Sequence, residues 1–243
     1  MASMRRTSIA LFLATLVIAT GCPQMDATAH RSGDRVTRAA GKARERLDAT
    51  LKKKGVAFGD ELFIRVFKEE AELETWLLRG KKFALLKTYP ICAYSGELGP
   101  KEKQGDEQAP EGFYSVGPSK LNPQSSYHLS FDVGYPNAYD RALGRTGNLI
   151  MVHGACVSIG CFAMTNDGIE DIYSLAHAAL ANGQKFIRVH IFPFRMTARN
   201  MKRHAPSKWS AFWANLKEGY DLFESDRLPP DVVVKDARYL FTP

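Results

Sequence analysis

The sequence predicts a mostly β domain with flanking helices, an α+β fold, and three observations carry that expectation. Short runs rich in aromatic and β-branched residues recur through the middle of the chain, bounded by glycine, proline or charge. Segments with apolar residues at helical spacing lie near both ends and between the runs. With 243 residues, 45% of them hydrophobic, the chain can bury one core and still carry extensions.

Taken in order, residues 1–21 read as an export signal rather than part of the fold. Arg5 and Arg6 precede "IALFLATLVIAT", an apolar stretch too short to span a bilayer comfortably. It ends in small residues before Cys22, the pattern of a lipoprotein-type signal in which that cysteine carries lipid. Pro23 and Gln24 lack the aspartate that would retain such a protein at the inner membrane. The expectation is a periplasmic protein, anchored at the outer membrane through lipid on Cys22.

Residues 22–55 form a basic arm. Of the formal charge of +7, residues 31–54 hold nine basic and three acidic side chains, and everything from Gly55 onward sums to zero. A basic arm on a neutral domain in an exported protein does not point to nucleic acid. Val36, Ala40, Ala43, Leu47 and Leu51 recur at helical spacing. They predict a weakly amphipathic helix, packed lightly on the domain or serving as a spacer from the lipid.

Residues 56–196 read as the catalytic domain. "ELFIRVF" (61–67) and "KFALLKTY" (82–89) are strands, and "KEEAELETWLLRG" (68–80) between them reads as a helix closed by Gly80. Residues 96–112, with their glycines, prolines and charges, suit a mobile surface flap. "FYSV", "YHLSFDV" and a buried "NLIMVH" continue the strands. Asp167 and Glu170 suggest a reciprocal cap for a helix that stops at Gly183, and "KFIRVHIFPF" (185–194) is the last clear strand. Residues 197–243 form a helical C-terminal extension packed on the domain, with the Trp and Phe residues of "KWSAFWANLKEGYDLF" assigned to core.

The chemistry concentrates after "NLIMVH", where His153, Cys156 and Cys161 follow one another closely. A cysteine attacks as its thiolate, so it needs a histidine or a positive dipole beside it. Gly154 and Gly160 let the backbone turn sharply, and the N–H groups of Gly160 and Cys161 are placed to serve an oxyanion. Spacing alone does not say which cysteine meets the histidine. Without Cys22, three cysteines remain (Cys92, Cys156 and Cys161), an odd number that in an exported protein reads as one pair and one free thiol. A zinc site built on H-x2-C-x4-C, with His128, His177 or His190 as fourth ligand, lacks the paired cysteine spacing of structural zinc. No C-x-x-C supports a thiol oxidoreductase. No metal or cofactor is expected.

"HG" followed by "SxGC", here His153-Gly154 and Ser158 to Cys161, resembles the signature of L,D-transpeptidases, cysteine enzymes that remodel peptidoglycan. "QAPEGFYSV" is similar to the T-P-x-G-x-F element of this YkuD-type family. "YPICAYSGELGPKEKQGD", "LNPQSSYHLSFDVGYPNAYDR", "HGACVSIGCFAMTNDGIEDIY" and "FWANLKEGYDLFE" resemble its YafK-like branch. The resemblance covers residues 56–243. It implies an L,D-transpeptidase-like β-sandwich catalytic domain in which Cys161 is the nucleophile, His153 the general base, and the Gly154 carbonyl orients the imidazole. Cys156 and Cys92 are then expected to pair, the alternative being two buried free cysteines that act as small hydrophobes. Ile159 stands where the family often has a second histidine, and Phe162-Ala163 where an arginine often follows. Arg145 or Arg195 would have to hold the substrate instead, with Ser158 in its signature position and His128 near the cleft.

The implied reaction begins with attack on the diaminopimelate carbonyl of a peptidoglycan stem peptide. D-alanine leaves, a thioester forms, and the acyl group passes to an amine. The alternative is hydrolysis by the same acyl-enzyme, cutting a crosslink or the bond from diaminopimelate to a wall-anchored lipoprotein. A non-enzymatic alternative is a cell-wall-binding module.

Overall fold

The computed structural model describes residues 24–158 and 160–242, with the side chains of 24–32 left aside. The signal segment and Cys22 lie outside the described residues. α1 (Gln24–Lys54) leads into a meander of β1 (Leu62–Phe67), β2 (Glu72–Arg79) and β3 (Lys82–Pro90). After a long loop come β4 (Gly112–Val116), a 3-10 turn (Pro118–Lys120), β5 (Leu121–Asn122), β6 (Ser130–Asp132) and α2 (Ala138–Ala142). β7 (Met151–His153), β8 (Phe162–Ala163) and α3 (Asn166–Ala181) follow, then β9 (Ile187–Phe192). The chain continues with α4 (Ala198–Arg203), α5 (Ser210–Asp226) and a hairpin of β10 (Asp231–Lys235) and β11 (Arg238–Thr242). The fold is mixed α+β.

Five strands form one sheet in the order β3-β2-β1-β9-β4, with β9 parallel to β1 and antiparallel to β4. Both of its faces are covered, which is why its strands read as nearly continuous apolar runs rather than alternating ones. Leu62, Ile64 and Val66 of β1 and Val189 and Ile191 of β9 face one core. That core is shared with Phe131, Val152 and Phe162 of the second sheet and with residues of α1 and α3. Phe63, Phe67, Phe113 and Phe192 face the other way, among Phe212, Trp213, Leu216, Tyr220 and Phe223 of α5. The second sheet has the order β5-β6-β7-β8, with β7 and β8 parallel.

Several expectations are corrected. Residues 68–80 are not a helix: Lys68–Ala71 make a turn, and Glu72–Arg79 pair with β1 and β3 on either side. Glu, Leu and Ala give this segment good helix propensity, but two ladders and burial on both faces outweigh a preference of tenths of a kcal/mol per residue. Its buried acid is satisfied, because Glu74 accepts from Trp76 Nε1 at 2.9 Å and pairs with Arg195 at 2.8 Å. The cap of α3 is Thr165, whose side chain accepts from Gly168 N–H, and not the Asp167–Glu170 pair. "NLIMVH" is strand only from Met151, and Leu149, at 65% exposure and φ 54°, is outside the core. The C-terminal segment also carries the β10–β11 hairpin, which the helical reading left out.

The 96–112 segment is no mobile flap. Asp106 accepts from the N–H groups of Glu102, Lys103 and Gln108 and pairs with Lys101, while Gln108 bridges Glu97 and Gly99. Beneath it Lys68, fully buried, donates to the carbonyls of Gly99 and Ala109 and to Glu111. Burial of that ammonium pulls its pKa down against the Glu111 carboxylate. Lightly packed is also the wrong description of α1. Ala39, Ala43, Leu47 and Leu51 are buried, and Arg46 reaches Asp171 at 2.8 Å and Glu170 at 3.0 Å on α3.

Candidate active site

β7 ends at His153, and in the parallel register His153 stands opposite Ala163 of β8. Cys161 lies in the bend just before β8, two residues ahead of Ala163, and its sulfur is 3.4 Å from Met151 N–H at the start of β7. The eight-residue excursion from β7 to β8 is held at several points. Gly154 N–H donates to Tyr127 O at 3.0 Å, Ala155 N–H to Asn166 Oδ1 at 3.0 Å, and Met164 N–H returns to His153 O at 2.7 Å. Cys156 is bonded to Cys92, and Cys161 is free. Ala155 (φ 70°) and Cys156 (φ 49°) both take left-handed backbone, a strained pairing of non-glycine residues beside the candidate base.

Two glycines are required here. A Cβ at Gly154 would sit 2.8 Å from Asn166 Oδ1 and 2.9 Å from Tyr127 O, closer than real contacts allow. Gly160 has φ +102°, a conformation that suits glycine. Among the described residues, the N–H groups of Gly160 and Cys161 have no hydrogen-bond partner, which leaves both able to receive an oxyanion.

His153 Nδ1 lies 2.6 Å from the Gly154 carbonyl. A carbonyl only accepts, so Nδ1 carries the hydrogen and Nε2 keeps its lone pair, the tautomer a general base needs. The ring is buried and lies 4.8 Å from that of Tyr127. Burial depresses the His153 pKa, against the opposing pull of the Gly154 carbonyl. Burial also raises the Cys161 thiol; Met151 N–H, 3.4 Å from the sulfur, opposes this, and the Asp132 charge adds to the rise. The sulfur's other polar neighbour is the Leu149 carbonyl at 3.9 Å, and no imidazole nitrogen is within hydrogen-bond reach of it. The expectation that His153 meets Cys161 and draws out its thiolate is therefore not met in this state. Burial holds both groups neutral. Such pairs can be loose without substrate and tighten in the complex.

The "L,D-transpeptidase catalytic domain" model of the YkuD family matches residues 63–191. The chain belongs to the L,D-transpeptidase catalytic domain family. It is 51% identical over 182 residues to the Escherichia coli K12 protein named "Putative L,D-transpeptidase YafK", covering 75% of this chain and 74% of that one. Among solved structures it is similar to the helical cell shape determining protein Pgp2 of Campylobacter jejuni. That match has 18% identity and a TM-score of 0.44, over 78% of this chain and 80% of that one. Bd1075 of Bdellovibrio bacteriovorus is similar at 17% identity and a TM-score of 0.39, over 73% and 78%.

In this L,D-transpeptidase family member, the remaining candidates separate. Ser158 Oγ donates to the Cys161 carbonyl at 2.6 Å, so it shapes the nucleophile's own loop. Arg145 is buried against Asp140 at 2.8 Å, with Tyr139 and Phe212 under its guanidinium. Arg195 pairs with Glu72 and Glu74 over the ring of Phe67. Both arginines are engaged in packing, Arg145 at α2 and Arg195 on the five-stranded sheet. His128 bonds Glu170 Oε1 at 3.0 Å and lines a cleft between α1 and α3 whose lining does not include His153 or Cys161. Sequence reasoning missed Tyr127, Asn166 and Thr165. The folded chain brings Tyr127 and Asn166 to the 153–156 segment, and Thr165 caps α3 beside Asn166, so no local spacing signals them. Among the described residues, no three His, Cys, Asp or Glu side chains are grouped to hold a metal ion.

Proposed function

We propose that this chain is an exported cysteine acyltransferase acting on peptidoglycan stem peptides, with Cys161 as nucleophile and His153 as general base. The observation that carries this reading is the tautomer lock. His153 Nδ1–H is committed to the Gly154 carbonyl, which leaves Nε2 as the basic nitrogen, and the single free cysteine among the described residues, Cys161, has its sulfur 3.4 Å from Met151 N–H on the same strand, β7. On substrate binding, the Cys161 thiol gives its proton to Nε2 as sulfur attacks the diaminopimelate carbonyl carbon. The tetrahedral oxyanion lies against the N–H groups of Gly160 and Cys161. Collapse expels D-alanine, whose amine takes the proton back from the imidazolium and leaves a thioester. An acceptor amine attacks next and yields its proton to His153; the sulfur leaves and is reprotonated. Desolvation of thiol and imidazole alike favours this proton-coupled attack over a standing thiolate–imidazolium pair.

Incubation of purified sacculi with the protein, followed by muropeptide separation, tests this. Release of D-alanine with new diaminopimelate-to-diaminopimelate crosslinks is the expected result, lost in Cys161→Ala and kept in Cys156→Ala at a measurable rate. Release without new crosslinks would assign the acyl-enzyme to hydrolysis, and an active Cys161→Ala would overturn the reading. Export and lipid on Cys22 belong to the same proposal. Mass spectrometry of protein made with its own signal should show cleavage before Cys22 and an added lipid mass.

A further inference from the structure

A second feature adjoins the 153–156 loop, and one of its walls precedes the residues that the family model matches. Arg35, Arg38 and Lys42 fall at i, i+3 and i+7 on α1, along one helix face, and all precede residue 63, where the family model begins. With residues 124–128 opposite and Ala155, Asn166 and Glu170 at the base, they line an open cleft of about 630 Å³. The floor is the candidate site's own support. Ala155 follows Gly154, and Tyr127, within the opposite wall, has its ring on His153. Arg35 ties the wall to α1, with Nη1 donating to the carbonyls of Pro123 at 3.3 Å, Ser125 at 3.1 Å and His128 at 2.8 Å. His128 is held at φ 72°, so the wall is a built feature whose backbone is strained into place.

The cleft is positive. Its one acidic lining residue, Glu170, is buried and already accepts from Arg46 and His128 at 3.0 Å each. Arg38 is exposed, and Lys42 stands 61% exposed with its ammonium 3.5 Å from Glu170. These two cations face solvent over a floor whose negative charge is already engaged. A guanidinium fork and an ammonium beside hydroxyls of Ser125 and Ser126 suit a carboxylate on a peptide.

We infer that the cleft between α1 and residues 124–128 is a subsite for the free carboxylates of a substrate peptide lying alongside the catalytic loop. The inference rests on the peptidoglycan reading above, since stem peptides carry such carboxylates. It makes the N-terminal helix part of the substrate surface.

The test uses the Cys161→Ala protein, so that binding is read without turnover. Calorimetry compares a soluble disaccharide-tetrapeptide with the same compound after amidation of its carboxylates. The amidated form should bind about tenfold more weakly. Arg38→Gln/Lys42→Gln should lose about five- to tenfold for the acidic fragment and nothing further for the amidated one. Both positions are exposed, and an unchanged melting temperature verifies that the variant folds. Equal affinity for the two fragments overturns the inference, as does a double variant that binds like its parent. So does a loss confined to phosphatidylglycerol vesicles, which would assign the cations to a membrane surface. Failure of acyl transfer in the sacculus assay leaves this binding result intact, so the two readings fail separately.

Discussion

Burial governs the chemistry of Cys161 and His153, because it removes charge from both. Neutral imidazole is the competent base, and its pKa is pushed below the ordinary value of 6.5. As pH rises through that lowered value the base form fills, so kcat/KM should climb with a midpoint below 6.5. It should then stay level past 9.0, the usual value of a thiol, which burial of Cys161 raises further. Iodoacetamide labelling of Cys161 without substrate should follow the same logic, rising only above pH 9. A labelling plateau at neutral pH would reveal a standing ion pair and refute the neutral resting state. His153→Ala should slow acylation by roughly a hundredfold or more while changing resting alkylation little. Tyr127→Ala should lower kcat by about tenfold, a loss of positioning, and should move the His153 titration back toward its ordinary value by wetting the ring, readable by NMR. His153 and Cys161 stood out as candidates because the proposed chemistry needs those residue types in an HG…SxGC pattern. Tyr127 did not, because a tyrosine 26 positions upstream of His153 carries no spacing that marks it.

Among the elements, local signals succeeded where one pattern had no competitor. β1, β3, β9, α3 and α5 sit close to where aromatic runs or helical spacing place them. β2 failed because its propensity and its tertiary setting disagree, and the hairpin partners on either side decide the outcome. The 96–112 loop failed in the opposite sense: glycine, proline and charge do mark irregular backbone, but not that a buried Lys68 and an Asp106 turn would pin it. The Cys92–Cys156 bond joins the end of β3 to the turn after His153, and Cys92 N–H also holds Ala163 O at 2.8 Å. The segment just after β3 thus clamps the excursion on both sides of Cys161. A bond closing a separation of 64 residues should be worth about 4 kcal/mol on chain-entropy grounds. Cys92→Ser/Cys156→Ser should therefore lower the unfolding free energy by that order and the urea midpoint with it, with activity falling as the 154–161 segment loosens. An unchanged midpoint would mean that the main-chain bonds around Ala163 hold the loop unaided.

At the scale of the molecule, the question is whether α1 is an arm or a part of the domain. The residues matched by the family model begin after it, and its nine basic side chains over 31–54 make it look like a solvated spacer. Its packing says otherwise. Leu47, at 1% exposure, and Ala39, at 2%, enter the core shared by both sheets, while Arg46 caps the acidic stretch at Glu170 and Asp171 of α3. Those ion pairs hold the Glu170 pKa down, because hydrogen bonds from Arg46 and His128 outweigh the upward push of burial. The helix thus braces the same α3 N-terminus whose Asn166 fixes Ala155. A spacer would tolerate truncation of its apolar face, whereas a core element would not. Leu47→Ala should cost about 2–5 kcal/mol in urea unfolding, as for any well-buried leucine. Val233→Ala, on the 57% exposed face of β10, should change stability by no more than about 0.5 kcal/mol. Should Leu47→Ala unfold at the parent's urea concentration, α1 would be a docked spacer after all, and the cleft it shares with residues 124–128 would lose its fixed wall.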